Sequence, residues 1–309
     1  MLYLSTRSKT DSFTAFRAAH NENTPDGGLY VPFRIKPFNA EELTEMKTMT
    51  FGESVAKILN LFFSQQLTGW DVDFCIGKAS VKIENAGHKA IVAELWHNPE
   101  GVYEVTRNAL YSRLYSTSEL PSEWAKVAID TAILFGVFTQ CCDTDLFDIA
   151  LCEEEITLIT AAWYAKNLGL PIGRILLVCN GESALWDMVR NGKINSTMLK
   201  KKGNNISRFV ERIIFDCYGF MTTQDYIAAF DKNEPYGIEE EAFAPIADRL
   251  QTVVVGADRA DKVIQSTERS NGYTLSRDTA RALGGLHDYR SQGGDSVLTL
   301  LIAEAKPDI

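Results

Sequence analysis

Four places in this sequence carry residue types that could do chemistry. His97, Glu100 and Glu104 lie close together, and if that segment is helical Glu100 and Glu104 share one face. An imidazole beside two carboxylates could act as an acid–base or metal cluster. The plainer reading is favoured, because motifs this short arise often without function and surface acids are normally solvated. Glu153-Glu154-Glu155 could hold a cation, yet acids in the first turn of a helix are expected from its dipole alone. Cys141-Cys142 could be a redox pair, but vicinal cysteines on an apolar helix are usually core thiols. Lys200-Lys201-Lys202, ahead of Gly203-Asn204-Asn205, reads as an exposed loop, with anion binding the lesser alternative.

These residues need a scaffold, and the hydrophobic pattern supplies one. From about residue 147 onward, strands alternate with helices. A helix is expected from Glu153 to Leu168, stopped by Gly169, then a strand from Arg174 to Cys179 and a helix from Ser183 to Arg190. Helices over Ser207–Cys217, Thr222–Asp231 and Ile238–Leu250 precede a buried-type strand at Thr252–Gly256. A helix from Asp258 to Ser270 and a strand from Ser296 to Ala303 complete the pattern. The alternation predicts an α/β fold with a mostly parallel sheet flanked by helices. The N-terminal region reads as a small α+β unit, with helices at Ala40–Met46 and Thr50–Gln65 and strands at Ala79–Glu84 and Ala90–Leu95. Asp26-Gly27-Gly28 reads as a tight turn that needs positive φ at glycine.

Composition narrows the partners. A length of 309 residues allows about two domains, and 45% hydrophobic content is enough for a substantial core. A net charge of -10 argues against nucleic acid or an anionic membrane as partner. No stretch is apolar for long enough to span a bilayer, and the start at Met1-Leu2-Tyr3-Leu4-Ser5 lacks signal-peptide character. The cysteines Cys75, Cys141, Cys142, Cys152, Cys179 and Cys217 show no zinc-type spacing, which fits reduced thiols in a cytoplasmic protein.

Several segments, taken in order, resemble threonine synthases. Tyr3-Leu4-Ser5-Thr6-Arg7 and Pro25-Asp26-Gly27-Gly28-Leu29-Tyr30-Val31-Pro32 are similar to the family's opening Y-x-S-T-R-G and P-D-G-G-L-Y-V-P. Ala165–Ile172 resembles A-x-x-M-G-L-P-I, with an Asn-containing turn at Asn180 after the next strand, and Ser207–Arg212 resembles S-N-F-E-R with one residue inserted. Gly272-Tyr273 and Thr279-Ala280 are similar to G-Y-x-x-D-P-H-T-A, and Trp124–Ala128 to N-W-A-R-I. Glu94-Leu95-Trp96-His97 through Val105 resembles E-L-F-H-G-P-T-x-A-F-K-D, whose lysine carries pyridoxal phosphate (PLP) in that family. In register from Leu95, His97 and Pro99, the lysine column falls on Glu104.

The resemblance implies a fold-type-II PLP architecture, with a threonine-synthase-like region over residues 1–92. Residues 93–309 would then form an α/β domain reduced by most of the small cofactor-closing domain. It also implies that the chemistry is lost. A carboxylate cannot form an imine. The P-x-G-N-F-G phosphate loop falls on Leu151–Ile156, where three acids would repel a phosphate. The hydroxyl that meets the pyridine nitrogen falls on Leu301-Ile302-Ala303-Glu304. The expectation is a catalytically inactive homologue with a binding or regulatory role and no cofactor, with His97, Glu104, Glu153 and Asn180 in the remnant cleft. An enzyme using that cleft without PLP is one alternative. Another is an active PLP lyase that makes threonine from O-phosphohomoserine through Lys89 or Lys126, neither of which looks placed for an imine. The partner would be an unknown small molecule or protein, and the state a monomer or homodimer. The apolar run Ala132–Phe138 should fill the vacated cleft or pack against a second copy.

Overall fold

The computed structural model describes residues 1–77, 81–141, 146–181, 183–202, 204–239, 242–256 and 258–307. A three-stranded antiparallel sheet comes first. β1 (Leu2–Ser5) is flanked by β2 (Ser12–Thr14) and β3 (Tyr30–Pro32), with α1 (Ala15–His20) following β2 in the chain. The turn before β3 is as expected: Gly27 has φ 80°, and the Asp26 carboxylate accepts from Ser5 Oγ and from the Gly28 N–H at 3.1 Å. α2 (Ala40–Met46), α3 (Phe51–Phe63) and α4 (Gly69–Ile76) each start on a reciprocal cap, at Asn39–Glu42, Thr50–Glu53 and Thr68–Asp71. Each pair satisfies two backbone donors that the first helical turn would otherwise leave open.

β4 (Lys82–Gly87) and β5 (Ala90–Glu94) form a hairpin, followed by α5 (Tyr103–Tyr115), α6 (Glu123–Cys141), β6 (Phe147–Cys152), α7 (Ile156–Asn167), β7 (Ile172–Cys179) and α8 (Ala184–Asn191). β8 (Lys193–Ile194), α9 (Ser196–Lys202), α10 (Asn204–Asp231, bent at Gly219) and β9 (Tyr236–Gly237) make an excursion. α11 (Ala244–Ala247), β10 (Leu250–Val254), α12 (Arg259–Asn271), α13 (Arg277–Ser291) and β11 (Thr299–Ala303) end the chain. The main sheet has strand order β10-β7-β6-β11-β5-β4 and is parallel except for the edge pair β4–β5. The expected mostly parallel sheet flanked by helices is thus present. One face packs on α3, α6 and α7, and the other on α12 and α13. The last strand, β11, enters between β5 and β6, so the chain reverses direction across the sheet there. Such a switch opens a crevice at the C-terminal strand ends.

The resemblance-bearing segments meet in space. Arg7 Nη2 of the N-terminal sheet lies 3.0 Å from Glu211 Oε2 on α10, and Arg212 makes a two-pronged pair with Glu123 at the start of α6, both bonds 2.6 Å. These contacts tie three elements together and report fold, not catalysis.

Several elements differ from expectation. β6 and α13 carry no signal that the sequence reading used, and the strands at β4 and β5 join the main sheet. The expected Ile238–Leu250 helix shrinks to α11. Lys200 is helical in α9, not in a loop, with Nζ on Asn233 Oδ1 at 2.7 Å. Gly203, Cys142 and residues 79–80 lie outside the described residues. Gly169 does stop α7, with φ 98° and a Phe38 carbonyl 2.7 Å from where a Cβ would stand. No helix among the described residues is long and apolar enough to cross a membrane.

α6 resolves the question of its apolar run. Phe135 and Phe138 are 0% and 1% exposed, their rings set against Phe38 and Phe147, so the run is packed within this chain. The close approach depends on Gly136: a Cβ there would sit 2.6 Å from the Phe51 ring and 2.7 Å from Val55. Gly136→Ala gains about 1 kcal/mol of helix propensity but overpacks this crossing. The expected net result is a loss of about 1 kcal/mol in urea unfolding. Equal or higher stability would show that the α3–α6 contact is loose.

Candidate functional site

The crevice at the C-terminal ends of β5, β11 and β6 is lined with acids from the strand exits. Glu104 occupies the second position of α5, whose start is fastened to the β11 exit by Tyr103 N–H donating to the Glu304 carbonyl at 2.7 Å. Its carboxylate meets two cations, Lys126 Nζ of α6 at 2.8 Å and Arg107 Nη1 one helical turn on. Partial burial opposes ionisation of Glu104, but Lys126 and Arg107 outweigh it and hold its pKa below the usual range.

Arg107 is the hub. Its guanidinium, 7% exposed, donates through Nε and Nη2 to Asp130 at 2.9 and 3.0 Å and through Nη2 to Glu304 Oε1 at 2.8 Å. Tyr103 adds its hydroxyl to Asp130 at 2.9 Å, and its ring lies 4.5 Å from the guanidinium carbon. Asp130 is fully buried in α6; burial pushes its pKa up, and Arg107 and Tyr103 pull against that. Burial also raises Glu304, with Arg107 the main opposing influence. Neither Arg107 nor Asp130 was singled out from sequence. The available signal was a lone acid, Asp130, inside the apolar helix, since a buried charge requires a partner.

Beside this network lies a cavity of about 330 Å³ whose lining includes Glu155, Ser276, Arg277, Thr279, Glu304 and Lys306. Burial and the nearby Glu304 charge raise Glu155 well above the usual carboxylate range, although it accepts the Cys152 N–H at 2.7 Å. Two such carboxylates in one cavity favour holding a proton between them.

The remaining candidates disperse. His97 stacks on Trp96 and bonds through Nε2 to Glu94 at 2.7 Å, while Tyr273 donates to the other Glu94 oxygen at 2.8 Å. Glu100 is exposed, so the envisaged His97–Glu100–Glu104 cluster does not form. Among the described residues no three His, Cys, Asp or Glu side chains are placed to hold a metal. The acids 153–155 precede α7 instead of filling its first turn, and they diverge. Glu153 is buried, accepting from Ser183 Oγ and from the Asn180 N–H at 3.4 Å, which does bring Glu153 and Asn180 together. Glu154 faces Arg281 at 3.3 Å. Lys89 sits on the β4–β5 turn at the N-terminal end of β5, the far end of the strand from Glu104, whereas Lys126 reaches Glu104.

Residues 2–80 match the sequence model described as the threonine synthase N terminus. The whole chain superposes on threonine synthase structures. The PLP-bound enzyme from Brucella melitensis aligns with TM-score 0.81 and 14% identity, covering 99% of this chain and 89% of the other. This is the threonine synthase fold. The yeast enzyme gives 0.81 and 14% over 99% and 87% of the two chains, and the Escherichia coli enzyme 0.72 and 14% over 99% and 89%.

The expectation of no cofactor is corrected by this match. A threonine synthase with the same fold along nearly the whole chain holds PLP, so the comparison points to PLP. The residues present give a narrower result for covalent anchorage. Position 104 carries a carboxylate already paired with two cations, and the amine of Lys126 is one of them. These groups do not fit an imine linkage, which needs a neutral amine freed by desolvation or by neighbouring cations.

Proposed function

We propose that this chain is a threonine-synthase-like protein that has given up lysine-anchored chemistry and acts as a binding or regulatory module for a small molecule in the crevice. The ion-paired Glu104 in the lysine column carries this reading. Two features support it. The β6–α7 connection presents acids where the resemblance places a phosphate loop, and Glu304 stands where it places a hydroxyl. Acids at that connection offer a phosphate no glycine-opened backbone cradle, and any that is ionised repels it.

The test is reduction with borohydride after incubation with PLP, followed by digestion and mass analysis. No cofactor fixed to the chain is the expected result, whatever PLP binds reversibly. Stoichiometric fixation overturns the proposal.

One observation favours a second reading. Lys126 Nζ lies 2.8 Å from Glu104, so an amine is present at the lysine column although it comes from α6. In this reading Lys126 would hold PLP in an active lyase of the threonine synthase type. A reduced label mapped to Lys126 and abolished by Lys126→Ala would establish it.

A further inference from the structure

A second site lies at the N-terminal ends of β5 and β11, the opposite end of these strands from Glu104, and its chemistry is independent of the crevice. The chain carries a net charge of -10, yet His88, Lys89, His287 and Arg290 converge with Ser296 on an open depression of about 490 Å³. None of these four side chains is in an ion pair among the described residues. Lys89 Nζ donates only to the Ser296 carbonyl at 3.0 Å. Arg290 donates to the carbonyls of His88, Lys89 and Val297 and to Thr299 Oγ1 at 3.0 Å, all neutral acceptors, and its Nε has no partner. His287 Nε2 is likewise unpartnered, the ring meeting only the His88 ring edge-on at 5.6 Å.

The backbone shows that this arrangement is built. The β4–β5 turn places Gly87, His88 and Lys89 at φ 83°, 49° and 57°. A two-residue hairpin turn of this kind favours Asn-Gly, and each side-chain-bearing residue there costs about 1 kcal/mol. The turn nevertheless presents a histidine and a lysine, locked by the Arg290 guanidinium against the starts of β5 and β11. Cations in no ion pair, with only the Asp148 charge acting on Arg290 from a distance, unpartnered ring and guanidinium nitrogens, and a rigid frame suit a compact anion.

We propose that this depression binds a compact dianion, either free phosphate or the phosphate monoester group of a small metabolite. Its affinity should rise as pH falls through the histidine range. Burial lowers the His287 pKa first, and His88, Arg259 and Arg290 lower it further, with only Asp288 opposing; Asp288 is itself paired to Arg259 at 2.7 Å. His287 is therefore neutral near pH 7 in the free protein, and a bound dianion draws a proton onto it.

Titration calorimetry with sulfate, which stays dianionic from about pH 5.5 to 8, is the direct experiment. One saturable site is expected, weakening about tenfold across that range as roughly 1.4 kcal/mol is lost. Heats should depend on the buffer, as proton uptake requires. Lys89→Gln, an exposed position, should weaken binding about fivefold. His287→Gln should flatten the pH profile. Tighter binding of glycerol phosphate than of inorganic phosphate would support the monoester, and the reverse order free phosphate. Absence of saturable binding, or binding untouched by both variants while circular dichroism shows them folded, overturns the proposal.

Discussion

Arg107→Leu should lower unfolding stability by about 3–5 kcal/mol at pH 8, because it leaves a buried carboxylate without its counterion. Asp130 is 0% exposed and takes two of the guanidinium's hydrogen bonds, so its remaining partner would be the Tyr103 hydroxyl. The pH dependence follows from linkage. Burial already raises the folded-state pKa of Asp130, and losing Arg107 raises it further. A raised carboxylate pKa means the folded state binds more protons than the unfolded one, so its stability contribution is full below the unfolded value and is lost as pH rises through the folded value. The deficit of the variant should therefore be largest at pH 8 and shrink towards about pH 4, near the unfolded carboxylate value. Urea unfolding at pH 8 and pH 5 reads this. Adding Asp130→Asn to the variant removes the stranded charge and should recover part of the loss at pH 8. A pH-independent deficit, or no recovery, would mean that Arg107 acts through packing and not as a counterion.

Sequence alone could not have placed that network, although its parts were visible. The helices read correctly from sequence, α2, α3, α7, α8 and α12, carry local end signals such as the caps at Asn39, Thr50 and Ser183 and the glycines behind α7, α8 and α12, although α4 has a reciprocal cap too and was not read. α13 was missed because Gly284-Gly285 interrupts its pattern. Gly285 lets it lie against the sheet, where a Cβ would stand 2.5 Å from Val178, and Gly284 lets it close on α12, where a Cβ would stand 2.9 Å from Arg259. The sequence reads the acids at 153–155 as a first helical turn, but the apolar period of α7 begins at Ile156; Glu153 and Glu154 are claimed by Ser183 and Arg281, and Glu155 by the nearby Cys152 N–H. Glu104 was legible as a position, through the resemblance. Its partners were not, because Lys126 and Asp130 come from another helix and Glu304 from the last strand. Such contacts are set by how elements pack, which no local spacing records. The same limit applies to the cationic depression, where the turn at His88-Lys89 meets α13 across about 200 residues of chain.

Glu104→Lys restores the family's residue type but not, on this geometry, its function. The new ammonium would face Arg107 and Lys126 and would stand near the positive end of α5, where the glutamate was favourably placed. Glu104 and Lys126 are partly exposed, at 42% and 32%, so solvent screens the exchange. A loss of roughly 2 kcal/mol is expected from the reversed dipole interaction, the lost pair and the new repulsion together. Lys126→Glu should also destabilise. The double swap, Glu104→Lys with Lys126→Glu, should recover part of the combined loss, because it rebuilds the ion pair with its ends exchanged while Arg107 and the helix dipole still disfavour an ammonium at position 104. Neither the single variant nor the swap should release phosphate from O-phosphohomoserine. An amine at position 104 leaves Glu153, Glu154 and Glu155 on the connection where the resemblance expects a phosphate loop, and leaves Glu304 in place of the hydroxyl. Preorganised groups of that kind supply much of the rate in a cofactor enzyme, and an anchor alone does not replace them. A double-mutant cycle in urea checks the electrostatic half, and a phosphate-release assay checks the chemical half. Additive losses in the cycle would show that the Glu104–Lys126 pair carries no coupling. Measurable phosphate release by the single variant would show that the crevice still holds a working catalytic frame and that position 104 was its only missing part.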